Sequence, residues 1–422
     1  MTRYSLMRAA AGSVLLLLAM TSVSRAEVAV QCPGDLDGDA IPDKNFKSGP
    51  NQGKGNPAFR PDVKCMHLGA GDGFVTMADG RPMYMFGFSD LTGTMPDMAM
   101  EKGMLAASAP APTIAVDEGQ DFYLTLTNVG MSVRPDLFDP HSVHWHGFPQ
   151  ASAIFDGVPE SSISINMGSS ISYYYKVVEP GTYMYHCHVE ATEHMQMGML
   201  GNLFVRPKQD KLPNNTPLAG GYVHKNGQRY AYNDGDGSTR YDVDALIQLG
   251  SFDPEFHDAS ESVQPLPFAA MRDRYPLLNG RGYPDTVNPG SLPAPMQNMG
   301  VVSQSVSSLI KAKQGQRILV RLSNLNVTRF HTIGTTGVPF RIVGQNARLL
   351  RGPSPDGGVT PGRSLAYTTS SVTLGGGESL DAIIDTAALA PGTYFLYSKN
   401  LYDLANNLDD LGGMMTEIVI QP

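Results

Sequence analysis

VDEGQDFYLTLTN at residues 116–128 and AKQGQRILVRLSN at residues 312–324 are two versions of one pattern, a Gly-Gln turn followed by a run of β-favouring residues. Two further stretches repeat in the same order. HSVHWHG (141–147) is matched by HTIGTTG (331–337), and PGTYMYHCH (180–188) by PGTYFLYSK (391–399). Three matches in register imply two copies of one β-sandwich. Between them short Val/Ile/Tyr/Phe runs such as TIAVDEG, SISYYYKVV and GNLFVRP alternate with turn signals, and helical periodicity is scarce. The expected class is all-β: a first sandwich over 66–206, a linker over 207–240 and a second sandwich over 241–422.

The remainder is N-terminal. Residues 1–26 carry Arg3 and Arg8, an apolar run from Ala9 to Met20, and Ser24-Arg25-Ala26, the layout of a secretory signal peptide. The chain is therefore expected to be exported, to a periplasmic or extracellular space, with no membrane anchor. Removing that segment takes away three arginines and no acid, and the formal charge moves from -9 to -12. An acidic balance of this size argues against nucleic acid and anionic membranes as partners. Residues 27–65 are rich in Pro, Gly, Asn and Asp and read as an irregular extension. Cys32 and Cys65 flank it and are free to pair in an oxidising compartment. Within it Asp35, Asp37, Asp39 and Asp43 are spaced like a calcium loop, although Phe46 stands where the closing glutamate belongs.

Cys187 is then unpartnered, and it lies between His186 and His188. On an extended strand alternate side chains face opposite ways, so His186 and His188 share one face and Cys187 takes the other. The same rule applied to HSVHWHG puts His144 and His146 on one face and His141 on the opposite one. Two donor sets follow. His141, Cys187, His194 and Met199 provide two imidazoles, a thiolate and a thioether, the shell of a blue-copper electron-transfer centre. His144, His146, His186 and His188 form an all-nitrogen group suited to a copper that meets a small oxidant. Seven of the ten histidines fall in these motifs or their repeat, which chance clustering does not explain. Zinc is the weaker reading, because structural zinc sites draw cysteines in CxxC pairs and none is present. Met195 and Met197 alternate with the ligand positions, where packing accounts for them as well as binding does. A methionine cluster, MPDMAMEKGM (95–104), offers thioethers for Cu(I) or an apolar lid.

HSVHWHG followed by YHCHVEATEHMQMGM resembles the ligand motifs of multicopper oxidases, the laccase-like cupredoxin family, over about residues 66–422. The resemblance implies two cupredoxin-like Greek-key sandwiches. It also implies a type 1 copper at His141, Cys187, His194 and Met199, and a type 2 or type 2/type 3 site at His144, His146, His186 and His188, with dioxygen as acceptor. The electron donor would be a small molecule or a redox protein. Two departures stand out. The step from Cys187 to His194 is two residues longer than usual, and the second copy replaces the histidines with Gly334, Thr336, Tyr397 and Lys399 and the cysteine with Ser398. Only His331 survives there, opposite His141, leaving His67, His224 and His257 as the other candidates to enlarge the cluster. The arrangement is also similar to copper nitrite reductases. That similarity implies nitrite as acceptor, and a homotrimer in which His331 of one chain meets His146 and His186 of its neighbour. A non-catalytic electron carrier or copper-handling protein is the third reading.

Overall fold

The computed structural model describes residues 28–148, 151–262, 265–358 and 360–422. The expected signal segment, 1–26, lies outside them. Among the described residues no helix is long and apolar enough to cross a membrane.

The first sandwich is built from β1 (Val63–Thr76), β2 (Pro82–Asp90), β3 (Ala111–Asp117), β4 (Asp121–Gly130), β5 (His144–His146), β6 (Ser170–Lys176), β7 (Gly181–His186) and β8 (Leu200–Arg206). Its two sheets run β2-β1-β4-β6 and β3-β8-β7-β5. Two small hairpin strands, β9 (Arg229–Tyr230) and β10 (Arg240–Tyr241), follow. The second sandwich uses β11 (Val243–Phe252), β12 (Tyr275–Leu278), β13 (Ile310–Lys313), β14 (Arg317–Asn324), β15 (His331–Thr335), β16 (Phe340–Gln345), β17 (Arg348–Leu349), β18 (Tyr367–Thr369), β19 (Ser371–Leu374), β20 (Glu378–Asp385) and β21 (Gly392–Ser398). After a short hairpin, β22 (Ala405–Asn406) and β23 (Asp409–Asp410), β24 (Met415–Gln421) closes the chain.

The repeat seen in the sequence is a repeat of pairing. β1 lies parallel to β4, and β11 lies parallel to β14; β3 pairs in parallel with β8, and β13 with β24. The order β3-β8-β7-β5 therefore has its counterpart in β13-β24-β21-β15. Each sandwich has its own apolar core, the first around Leu68, Phe122, Leu126, Trp145 and Tyr185, the second around Ile318, Val320, Phe340, Ile384 and Ile418. The run DFYLTLTN is buried on both faces rather than alternating, because side chains other than those of the opposing sheet also cover it.

The halves are docked tightly. Val75, Met83 and Met85 of β1 and β2 pack with Phe252, Tyr275 and Leu277 of the second copy. Polar contacts span the same interface: Thr182 Oγ1 donates to Asp381 Oδ1 at 2.5 Å, and Ser379 Oγ donates to the Thr182 carbonyl at 2.6 Å. Residues 207–240, read as a linker, lie against the second sandwich with Tyr230, Ala231, Tyr232 and Asp234 buried. The extension is held by a Cys32–Cys65 disulfide, Cα atoms 5.9 Å apart, that fastens it to β1.

Candidate metal centres

β5 pairs antiparallel with β7 so that His144 faces His186 and His146 faces Met184. That register gathers the imidazoles on one side of the sheet and turns Cys187 to the other, toward the core. His141 joins from an isolated bridge to Ile165, and His194 from the short helix Ala191–Gln196.

At the first centre, Cys187 Sγ lies 3.2 Å from His194 Nδ1 and 3.8 Å from His141 Nδ1. The Ser142 N–H points at the sulfur from 3.5 Å. Met199 is brought alongside by the backbone, since the Cys187 N–H donates to its carbonyl at 3.1 Å and its own N–H donates to the His194 carbonyl at 2.8 Å. All four side chains are fully buried. Burial drives the His194 imidazole down to about 3 and His141 well below its ordinary value, so both stay neutral, the form that binds metal. Burial pushes the Cys187 thiol up to about 12, so a metal must displace its proton. Two nitrogens and a sulfur converging within 4.8 Å of one another fit a soft or borderline ion such as copper.

At the second centre, His144 Nδ1 donates to the Asp156 carbonyl at 2.6 Å and His186 Nδ1 to the Cys187 carbonyl at 2.7 Å. Those bonds fix the tautomers and leave each Nε2 lone pair available as a metal donor. His146 Nδ1 is 3.4 Å from His186 Nε2. The His188 ring stacks on His186 at 5.6 Å and meets His144 edge-on at 5.1 Å, although β7 has already ended at His186. Burial, reinforced by the neighbouring imidazoles, lowers the His146 pKa, and burial takes His186 down to about 3. The four rings line a cavity of about 450 Å³ whose opposite wall is Leu325–Phe330 with Gly376 and Gly377.

His331 does not reach this cavity. It is fully buried in the second sandwich, with Nδ1 3.2 Å from Asp403 Oδ2, a carboxylate that also accepts from Ser398 Oγ at 2.8 Å. The reason is the repeat itself: like His141, His331 faces the interior of its own sandwich, where the Asp403 carboxylate stands in place of the sulfur and the second imidazole. The Ser398 N–H donates to the Met414 carbonyl at 2.9 Å, the same link that joins Cys187 to Met199. His67, His224 and His257 are also elsewhere. They bond Thr127 Oγ1, the Tyr230 hydroxyl and the carbonyls of Tyr84 and Gln196. Met195 lines the cavity, while Met197 is buried with its sulfur accepting from Ser260 Oγ at 3.3 Å. Met95 and Met104 are exposed, on either side of the short helix Ala99–Gly103.

The acidic loop of the extension does bring Asp35, Asp37 and Asp39 together. Lys47 Nζ lies among the carboxylates, 2.7 Å from Asp37, 3.3 Å from Asp39 and 3.0 Å from Asp43, and calcium would have to displace that ammonium.

No motif or repeat signals the cavity's far wall. Asn326, Thr328 and Arg329 belong to no repeat, and Gly377 is placed by a turn. A Cβ at Gly377 would lie 2.9 Å from the His146 ring, and its φ of +88° is strained for any L side chain. Gly377→Ala is therefore expected to displace His146. Metal at the histidine centre should fall by about tenfold or more, as for a lost orienting contact, while the visible absorption of a copper-loaded thiolate centre persists. Metal analysis beside an absorption spectrum checks this.

The multicopper oxidase family profile matches residues 94–210. A multicopper oxidase of Talaromyces pinophilus, MCE, is 36% identical over 103 residues, which are 24% of this chain and 16% of that protein. The aligned part is thus a small fraction of its curated relative. Blue copper oxidase from Nitrosomonas europaea superposes with a TM-score of 0.59 at 22% identity, covering 85% of this chain and 86% of that one. Copper nitrite reductase from the same organism superposes at 0.53 and 16% identity, covering 85% and 94%. Those likenesses establish the cupredoxin fold for both sandwiches, and the stretch that matches the multicopper oxidase family profile, residues 94–210, holds both candidate donor sets.

Proposed function

We propose that this chain is an exported copper-dependent oxidoreductase that takes electrons from a donor at the Cys187 centre and delivers them to an acceptor, dioxygen, at the histidine centre. The observation that carries the reading is covalent. Cys187 Sγ belongs to one donor set, while the residues bonded to either side of it, His186 and His188, belong to the other. Copper bound at these sites would supply one-electron redox chemistry at the first and reduction of the acceptor at the second. The chain's own part is to hold two neutral imidazoles and a thiolate in a dry pocket and to keep four imidazoles around an accessible cavity. It also links the two through a few bonds of backbone.

Nitrite is the second reading. It is favoured by the far wall, where the second sandwich contributes Asn326, Thr328 and Arg329 and no histidine. With four imidazoles rather than eight, the cavity suits fewer ions than a full three-copper cluster. The intersubunit trimer drawn from nitrite reductases loses His331 as its ligand, since that side chain is buried and paired.

Copper counting and electron paramagnetic resonance on the loaded protein test the assignment. Two coppers per chain are expected, one with the narrow hyperfine pattern of a thiolate centre and one ordinary, together with donor-dependent consumption of dioxygen or nitrite. A blue protein that consumes neither is a carrier, and the oxidoreductase reading fails.

A further inference from the structure

One buried carboxylate ties together elements that border both centres without touching a donor of either. Asp273 lies in the connection between β11 and β12 and is 3% exposed. Gln196 Nε2 donates to its Oδ1 at 3.2 Å, and Gln196 closes the helix that carries His194. Its Oδ2 accepts from Ser251 Oγ at 2.5 Å, from Asn326 Nδ2 at 3.2 Å and from Thr328 Oγ1. Its backbone carbonyl accepts from Arg329 Nη2 at 3.0 Å. No lysine, arginine or histidine forms an ion pair with that carboxylate among the described residues. A buried carboxylate satisfied by neutral donors is costly to install and defines the geometry of each donor.

Apart from Ser251 on β11, the donors fall into two groups far apart along the chain. Gln196 is two residues from His194. Asn326, Thr328 and Arg329 are the polar part of the wall that faces the four histidines across the cavity. Asn326 passes the constraint on, its Oδ1 accepting the N–H groups of Thr328 at 2.8 Å and Arg329 at 2.6 Å.

We propose that Asp273 is a positioning residue that couples the two centres, by anchoring the His194 helix and the acceptor-facing loop 325–330 to one carboxylate. The coupling rests on the two-centre reading above, but the anchoring stands apart from it. Asp273 sets where the loop sits, and hence how an acceptor is held against the histidines, without touching metal or acceptor itself.

The test is Asp273→Asn in the full-length, copper-loaded protein. The amide keeps the shape and one acceptor oxygen and removes the second acceptor position. Amide exchange is expected to speed up at least about tenfold in both 194–199 and 325–330 while protection in β4 and β14 is unchanged. The acceptor KM should rise about fivefold or more, with the thiolate absorption intact. Gln196→Ala cuts the link on one side only, and it should still raise exchange in 325–330, about threefold or more, although the Gln196 side chain bonds Asp273 and not that loop. The proposal is overturned if exchange rises uniformly over the chain, if only one segment responds to Asp273→Asn, or if Gln196→Ala leaves 325–330 unmoved. Should the wild-type protein show no turnover, the enzymatic reading is what fails, and the two exchange measurements alone decide the anchoring.

Discussion

Cys187→Ser is expected to remove the intense visible absorption of the copper-loaded protein and to lower turnover by on the order of a thousandfold, about 4 kcal/mol of barrier. The hydroxyl is close in size to the thiol and can keep the bond from the Ser142 N–H, so packing changes little. What disappears is the soft sulfur donor and the electronic link to His186 and His188. The histidine centre should keep its copper and its ordinary resonance signal, because its four imidazoles do not depend on sulfur. Absorption, paramagnetic resonance and steady-state rates on one preparation check all three. A variant that stays blue, or that turns over normally, would remove the basis for assigning Cys187 as the relay.

Arg321→Met should destabilise the fold by about 3–5 kcal/mol, the range for stripping one partner from a buried ion pair. Arg321 is completely buried, its Nε 3.0 Å from Asp244 and its Nη1 3.5 Å from Asp381 and 3.1 Å from Thr182 Oγ1, with the guanidinium over the Phe204 ring. It is where the sandwiches meet, since Thr182 lies on β7 and Asp381 on β20. Methionine fills the volume but leaves Asp381 buried beside Tyr232 and Thr182 with no cation. Burial already holds the Asp381 carboxyl above its ordinary range despite Arg321, and losing the cation raises it further. The folded state then binds a proton that the unfolded state releases, so the deficit is smallest in acid and widens as pH rises past the ordinary carboxylate range. Denaturant titrations at two pH values check this. A pH-independent loss would mean that Asp381 is neutral throughout.

How much of this was legible in the sequence depends on whether a residue sits in a repeat. The two sandwiches follow from 116–128 and 312–324, and the parallel pairing of β1 with β4 and β11 with β14 is the same event twice. The separation of Cys187 from His186 follows from strand alternation, as does that of His141 from His144 and His146. His188 follows less directly, because β7 ends before it. His331 lines up with His141 in the repeat, but its contact with Asp403 was not legible. Asp403 supplies a carboxylate where the first copy has an imidazole, and one acid in a loop gives no warning of that. Asp273, Asn326 and Thr328 were invisible, since their meaning lies in hydrogen bonds across long sequence separations. The helix Pro254–Ser260, whose Phe256 packs into the first sandwich's core, was equally hidden.

The pairing of His331, Asp403 and Ser398 fills the place of a metal centre with the second copy's own side chains. Where the first copy gathers a thiol and two imidazoles, the second sets one carboxylate, Asp403, that accepts from His331, Ser398 and Arg329. The second sandwich is thus held at this place by its own side chains, while its loop 325–330 still leans on Gln196 of the first through Asp273.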